Sequence, residues 1–186
     1  MMREMNMRKL VLITGLCGAL AACNQPSVSL TNVSADEVEK QTKAAGLGSQ
    51  IKAGEWETKV DLLDIEMPGI NPAMKAEMLK RAKETKVHSY CISEEEAKRP
   101  GGIFTGNDTG ECTYSKFEMS AGKVDITMVC PGQSGGKMTM HVAGTFSADT
   151  IAAVSEMKGE GQFPMQMKAN VNSRRLGECK TGSPKK

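Results

Sequence analysis

Apolar and polar residues alternate along most of the second half of the chain, as expected for strands with one buried and one solvated face. In the last segment of this kind, apolar residues alternate with glutamine, lysine and asparagine. The alternation predicts strands over residues 112–119, 124–130, 137–146, 150–158 and 163–174. Because only short turns separate these segments, they predict an antiparallel meander.

An earlier strand begins at Trp56, and its apolar residues change face midway. Trp56 and Leu62 fall on one face, whereas Leu63 and Met67 fall on the other. A change of face within one strand predicts a β-bulge near Leu62 and Leu63. The strand pattern returns at TKVHSYCI, residues 85–92.

Between these two strands the sequence predicts a helix. Asn71 and Pro72 are typical of a helix start, and an apolar stripe continues to Lys83. We expect this helix to lie on the sheet. The predicted fold class is therefore α+β, mainly β: an antiparallel meander sheet, strongly curved or half-barrel, with one covering helix and two disulfides.

The N-terminus has the three parts of a secretory signal over residues 1–22. A basic start precedes an apolar run from Leu10 to Leu20, which is too short to span a bilayer, and small residues follow. The sequence Leu-Ala-Ala-Cys resembles the lipobox of bacterial lipoproteins, which implies cleavage before Cys23 and acylation of its thiol. In that class an Asp after the cysteine retains the protein at the inner membrane. Asn24 at this position therefore predicts the outer membrane, with the domain facing the periplasm.

Removal of the signal changes the charge of the protein. The chain has 24 basic and 22 acidic residues, and the signal contains three basic residues and one acidic residue, which leaves 21 of each. A neutral chain lacks the basic face that nucleic acid requires, so we expect no nucleic-acid partner.

Residues 23–51 contain few large apolar side chains and predict a flexible tether between the lipid anchor and the domain. Within it, Ser34 and Glu37 have the capping-box spacing of a short helix, which Gly46 would end. One domain is then expected over residues 52–180, followed by a disordered tail at 181–186.

Cys91, Cys112, Cys130 and Cys179 remain for the exported domain, where four cysteines indicate two disulfides. The turn after Ser120 decides how they pair. If Val124 faces Met119, apolar side chains share one face, and Cys112 and Cys130 then point to opposite faces. This register favours the pairs Cys91–Cys112 and Cys130–Cys179. The alternative is Cys112–Cys130 with Cys91–Cys179. A single bulge would restore the register that places Cys112 across from Cys130.

Several short motifs in this domain together resemble a known bacterial family, the domain of unknown function 3617. They are Gly54-Glu55-Trp56-Glu57, Tyr90-Cys91-Ile92-Ser93, Cys112-Thr113-Tyr114, Cys130, and the segment from Arg174 to Cys179. The resemblance covers about residues 52–180. It implies an exported protein, often a lipoprotein, and carries no assigned activity.

The residue types that catalysis usually needs are scarce. His88 and His141 both fall on predicted strands, and the four cysteines are assigned to disulfides, with no Cys-His spacing typical of zinc. The acidic run Glu94–Glu96 follows Ser93 in a second capping-box pattern, where a helix start favours acidic residues. We therefore predict no enzymatic activity and no cofactor.

Methionine is abundant: ten remain after cleavage, against seven aromatic residues. Flexible methionines would line an apolar groove on a bent sheet, and we expect a non-catalytic domain that binds a hydrophobic ligand or an envelope protein. The alternative is Cu(I) binding, because thioethers are soft ligands. The candidate ligands are two pairs on strand faces, Met138 with Met140 and Met165 with Met167.

Overall fold

The computed structural model describes residues 26–48, 50–83, 87–105, 111–132, 135–162, 164–180 and 182. Its strands are β1 (Ser27–Leu30), β2 (Gly54–Glu66), β3 (His88–Ile92), β4 (Thr113–Ser120), β5 (Lys123–Pro131), β6 (Lys137–Phe146), β7 (Thr150–Glu160) and β8 (Met165–Gly177). Its helices are α1 (Ala35–Ala44), α2 (Pro72–Lys83), α3 (Glu94–Ala97) and α4 (Pro100–Thr105).

The strands form one antiparallel sheet that does not close, in the order β1-β4-β5-β6-β7-β8-β2-β3. From β4 to β8 each strand pairs with the next in the chain, so the predicted meander is confirmed. The mainly β fold class is confirmed as well. Phe163, at the predicted start of the last strand, lies outside the described residues.

The predicted bulge in β2 is present. Leu62 pairs with Ala169 and Asp64 pairs with Lys168, which leaves Leu63 as the extra residue. Leu63 is 46% exposed, because the bulge turns it away from the core. The bulge keeps Leu62 and Ile65 both directed to the core face, although they are three residues apart.

The favoured disulfide pairing, Cys91–Cys112 with Cys130–Cys179, is wrong. The protein has the alternative pairs, Cys91–Cys179 and Cys112–Cys130. The hairpin register itself was predicted correctly, since Met119 faces Val124. A second bulge at Ser115 then shifts the pairing by one residue before the strand reaches Cys112, and this brings Cys112 level with Cys130.

The prediction that residues 23–51 are a flexible tether is wrong for the part that is described. β1 pairs with β4 along its whole length, from Ser27 opposite Ser120 to Leu30 opposite Phe117. α1 follows, and Ser34 caps it as predicted by accepting a hydrogen bond from Glu37 N at 3.4 Å. After α1 the chain buries Leu47 completely. The apolar residues of this segment are few, but nearly all of them are used for packing.

Three helices cover the core face, and α2, the helix predicted to do so, is not among them. α1, α3 and α4 contribute Val38, Ala97 and Ile103 to the buried cluster. α4 lies close to the sheet through Gly101, whose α-carbon faces Val38 and the ring of Phe117. The described side chains of α2 are all exposed or half-buried, so this helix lies at the margin of the sheet.

The centre of the core is aromatic. Trp56 and Phe117 are completely buried, and Trp56 Nε1 donates a hydrogen bond to Lys52 O at 3.0 Å. Tyr114 is also buried, and its hydroxyl lies 2.9 Å from Thr105 Oγ1. Burial raises the pKa of Tyr114. No helix in the described part of the chain is long and apolar enough to cross a bilayer.

Candidate functional site

Four methionines and one isoleucine form a row across the middle of the sheet, on the face that carries the core. Its members lie directly opposite one another on β5, β6, β7, β8 and β2: Met128, Met140, Met157, Met167 and Ile65. We call these five residues the methionine row. The two at its ends are buried, whereas the three in the middle are half-buried. The row therefore extends the core face beyond the part that α1, α3 and α4 cover, and its three middle side chains are partly exposed there.

The structure places both predicted methionine pairs on this face. Met138 pairs with Gly159, which in turn pairs with Met165, so these two methionines flank a glycine one step beyond the row. Met157 joins the pairs, since it lies between Met140 and Met167. The prediction missed Met157, although its alternation with Ile151 and Ala153 along β7 indicates the same face.

An apolar cleft opens where β7 and β8 meet the loop before α2. Its volume is about 600 Å³, and an adjoining hollow of about 440 Å³ shares its apolar wall. The residues common to both are Met67, Pro68, Ile70, Pro164 and Met165. We call this site the apolar cleft. Met74, which is 54% exposed, lines the adjoining hollow.

Turn chemistry fixes the wall of the cleft that precedes α2. Gly69 has φ of 78°, and Ile70 N donates a hydrogen bond to Met67 O at 3.2 Å. Asn71 then caps α2, because its Oδ1 accepts a hydrogen bond from Met74 N at 2.8 Å. A tight turn followed by a capped helix holds this wall in one conformation without a strand partner.

The charged groups at the rim of the cleft are paired with each other. Lys75 Nζ lies 2.7 Å from Asp64 Oδ1 and 3.6 Å from Glu66 Oε1, and Lys158 Nζ lies 2.8 Å from Glu160 Oε1. The hydrogen bond from Lys75 lowers the pKa of Asp64, and the same contact raises the pKa of Lys75. A rim with paired charges favours an uncharged apolar ligand over a charged one.

The opposite face of the sheet carries charged side chains at adjacent positions. Asp125 Oδ1 lies 3.0 Å from His141 Nε2, and its other oxygen accepts a hydrogen bond from Lys116 at 2.8 Å. The hydrogen bond from Lys116, followed by that from His141, lowers the pKa of Asp125. Farther along this face, Lys168 Nζ lies 2.7 Å from Glu156 Oε1. This pattern is that of a solvated face on which neighbouring charged side chains pair with each other.

The other residues considered for chemistry lie apart from the cleft. His141 is on the charged face, as predicted, and His88 is exposed on the edge strand β3. Glu96 and Ser93 form the predicted capping box of α3, with Ser93 N donating to Glu96 Oε2 at 2.8 Å. Among the described residues, no group of three or more His, Cys, Asp or Glu side chains has the arrangement of a metal site.

A protein-family model described as Protein of unknown function (DUF3617) matches residues 51–179. The chain belongs to this family. No curated protein and no solved structure matches the chain.

The DUF3617 match ends at Cys179 and includes both disulfides, the methionine row and the apolar cleft. β1 and α1 precede it, although both are integral to the fold of this DUF3617 protein. Cys23 lies outside the described residues, so its acylation stays a prediction.

Proposed function

We propose that this DUF3617 protein is a non-catalytic envelope lipoprotein, anchored by acylated Cys23 in the outer membrane and facing the periplasm, that binds an uncharged hydrophobic ligand in the apolar cleft. The observation that carries the proposal is the cleft itself, with its wall of methionine, proline and isoleucine. Its volume of about 600 Å³ falls within the range of about 300–1,000 Å³ that is usual for small-molecule sites.

The chemistry of the wall supports an apolar occupant. Met67 and Met165 have unbranched, polarisable side chains that adjust to ligands of different shape. Pro68 and Pro164 fix the backbone on the two sides of the opening. The polar groups at the rim already satisfy each other, as the contacts of Lys75 and Lys158 show.

The ligand is tested with a Cys23→Ser chain, which cannot be acylated and is purified without detergent. We expect mass spectrometry to detect a co-purified lipid and a neutral fluorescent probe, N-phenyl-1-naphthylamine, to bind. The double substitution Met67→Gln and Met165→Gln should weaken probe binding about tenfold, because losing about 1.4 kcal/mol of apolar contact changes affinity by that factor.

The matched control is Met78→Gln, the same change on α2 at a half-buried position that does not line the cleft. It should leave the affinity for the probe unchanged. The ligand-binding proposal is wrong if no lipid is found and the probe does not bind, or if Met78→Gln weakens binding as much as the cleft variant does.

A second candidate is Cu(I) binding, and the methionine row favours it. Met140, Met157 and Met167 occupy consecutive cross-strand positions, where β-carbons are about 4.5–5.5 Å apart. Flexible thioethers at this spacing can converge on one soft ion, and Cu(I) accepts such ligands. The predicted set Met138, Met140, Met165 and Met167 is thereby revised, with Met157 as the central ligand.

An anaerobic titration with Cu(I) against a competing chelator tests this candidate. We expect a dissociation constant below micromolar that is lost when Met140, Met157 and Met167 are all replaced by leucine, a change that conserves volume. Replacing Met74 and Met78 by leucine should have no effect on Cu(I) affinity. If the unmodified protein binds Cu(I) no tighter than micromolar, the copper hypothesis is wrong.

A further inference from the structure

The edge strand β1 begins very close to the predicted lipid anchor. Only residues 24–26 separate Cys23 from Ser27, the first residue of β1. A fully extended chain spans at most about 3.6 Å per residue, so the α-carbons of Cys23 and Ser27 are no more than about 14 Å apart. The same limit for a tether of residues 23–51 would be about 100 Å. An acyl chain on Cys23 would therefore hold the folded domain next to the bilayer.

β1 is attached to the domain along its length. All four of its residues are in register with β4, and Val28 and Leu30 pack against the core. Just after β1, Val33 and Tyr114 exchange two backbone hydrogen bonds of 3.1 and 2.9 Å. Lengthening the tether by releasing β1 would break these contacts, so the short spacing is a property of the folded state.

The first residue of β1, which is the one nearest to Cys23 in the chain, lies at one particular end of the sheet. Ser27 lies opposite Ser120, which is followed by the turn 121–122. The turn 147–149 lies beside it, because Phe146 N donates a hydrogen bond to Gly122 O at 3.0 Å. We call these two turns the anchor-proximal end. Their side chains are small or polar, which fits a layer of hydrated lipid head groups and not the hydrocarbon interior.

The apolar cleft lies at the other end of the strands. On β5, Lys123 is at the anchor-proximal end, and Cys130 is seven residues further along, about 23 Å at 3.3 Å per residue. Cys130 is level with Met138, Gly159 and Met165, and the last of these lines the cleft.

We propose that the anchor-proximal end rests on phospholipid head groups and that the apolar cleft opens away from the membrane, toward the aqueous phase. This orientation rests on the acylation of Cys23 in the proposed function. It follows from the position of β1 in the sheet, since an anchor at any other point of the fold would turn a different surface to the bilayer. A ligand would then enter the cleft from the periplasm and not directly from the leaflet that holds the anchor.

The test uses the acylated chain in vesicles of phosphatidylethanolamine and phosphatidylglycerol that contain lipids spin-labelled in the head group. A fluorophore is placed through Ala121→Cys at the anchor-proximal end or through Gln162→Cys beside the cleft, and short-range quenching is measured. With the anchor limited to about 14 Å, we expect quenching about fivefold stronger at position 121 than at position 162.

The matched control is an insertion of 25 Gly and Ser residues after Gln25. Its root-mean-square span of about 28 Å should remove most of the difference between the two positions. Mass spectrometry of the N-terminal peptide reports acylation separately. A peptide without acyl chains would contradict both the anchor and the orientation. Acylated protein that is quenched equally at positions 121 and 162, or is unaffected by the insertion, would contradict the orientation alone.

Discussion

Replacing Cys91 and Cys179 together with alanine is expected to lower the free energy of unfolding by about 4.5 kcal/mol. This disulfide joins residues 88 positions apart, and the loss of chain entropy that it imposes on the unfolded state grows with the length of the loop. Unfolding in urea, followed by the fluorescence of the single tryptophan, Trp56, measures the change, because this side chain is buried and becomes exposed on unfolding.

The second disulfide serves as the control. Cys112 and Cys130 are 18 positions apart, so replacing both with alanine should lower the free energy of unfolding by about 3.2 kcal/mol. Peptide mapping without reduction should recover Cys91 joined to Cys179. An equal loss of stability in the two double variants would contradict the loop-length argument, and a peptide joining Cys91 to Cys112 would contradict the pairing itself.

The second large effect is expected at Gly144 on β6. Gly144 lies between Val124 and Ala153 on the core face, and its α-carbon is pressed against β7. A β-carbon there would lie 2.6 Å from Ala153 Cα and would also collide with Ala152 O. Because both are backbone atoms of a paired strand, Gly144→Ala should cost about 3 kcal/mol, which thermal or urea unfolding would measure.

Gly159→Ala is the matched control for this substitution. Gly159 also sits within a strand on the same face, but the nearest atom to its β-carbon would be Met165 Cγ at 3.8 Å, an ordinary contact. Alanine here should leave stability unchanged or raise it by about 0.5 kcal/mol, because glycine in a strand has excess freedom in the unfolded state. If both variants lost the same stability, the close approach of β7 to Gly144 would not be the cause.

Local patterns predicted most of the sheet. Alternation places β4 to β8, and the change of face at Leu62 and Leu63 places the bulge of β2, because both depend on which side chains must be buried. The bulge at Ser115 has a similar signal, which the prediction missed: Tyr114 and Phe117 are both buried although they are three residues apart, so the apolar side chains change face between them. That one residue reversed the predicted disulfide pairing.

The prediction of a flexible tether over residues 23–51 is wrong because it rested on composition and not on the spacing of the apolar residues. Composition alone describes residues 23–51 as polar, yet Val38, Leu47 and Ile51 are spaced so that a capped helix and the turn after it bury all three. The prediction for α2 is wrong in the opposite sense, since it expected packing for a helix whose described side chains are exposed or half-buried. Its apolar stripe predicted packing on the sheet, but the loop with Pro68 and Gly69 directs it to the margin, where Met74 stays exposed.

The candidate site was only partly visible in the sequence. Alternation identifies the strand face of each methionine, and so both predicted pairs lie on one face. The place of Met157 between the two pairs follows from the predicted order of the meander, but a search for two methionines on one strand face does not find it, because β7 has a single methionine. The apolar cleft depends on residues 67–70, before α2, and on residues 161, 162 and 164, between β7 and β8, which meet beside the β2–β8 pair. No local pattern places such loops side by side.

The pairing of β2 with β8 also constrains the order of folding. Early in synthesis, residues 54–58 of β2 can pair with β3, but residues 59–66 find their partner only in β8, about a hundred positions later. Until β8 emerges, this stretch of the first long strand offers unpaired backbone groups to any other chain nearby. The sheet therefore cannot be assembled from its N-terminus onward, because its first long strand is completed only by its last one.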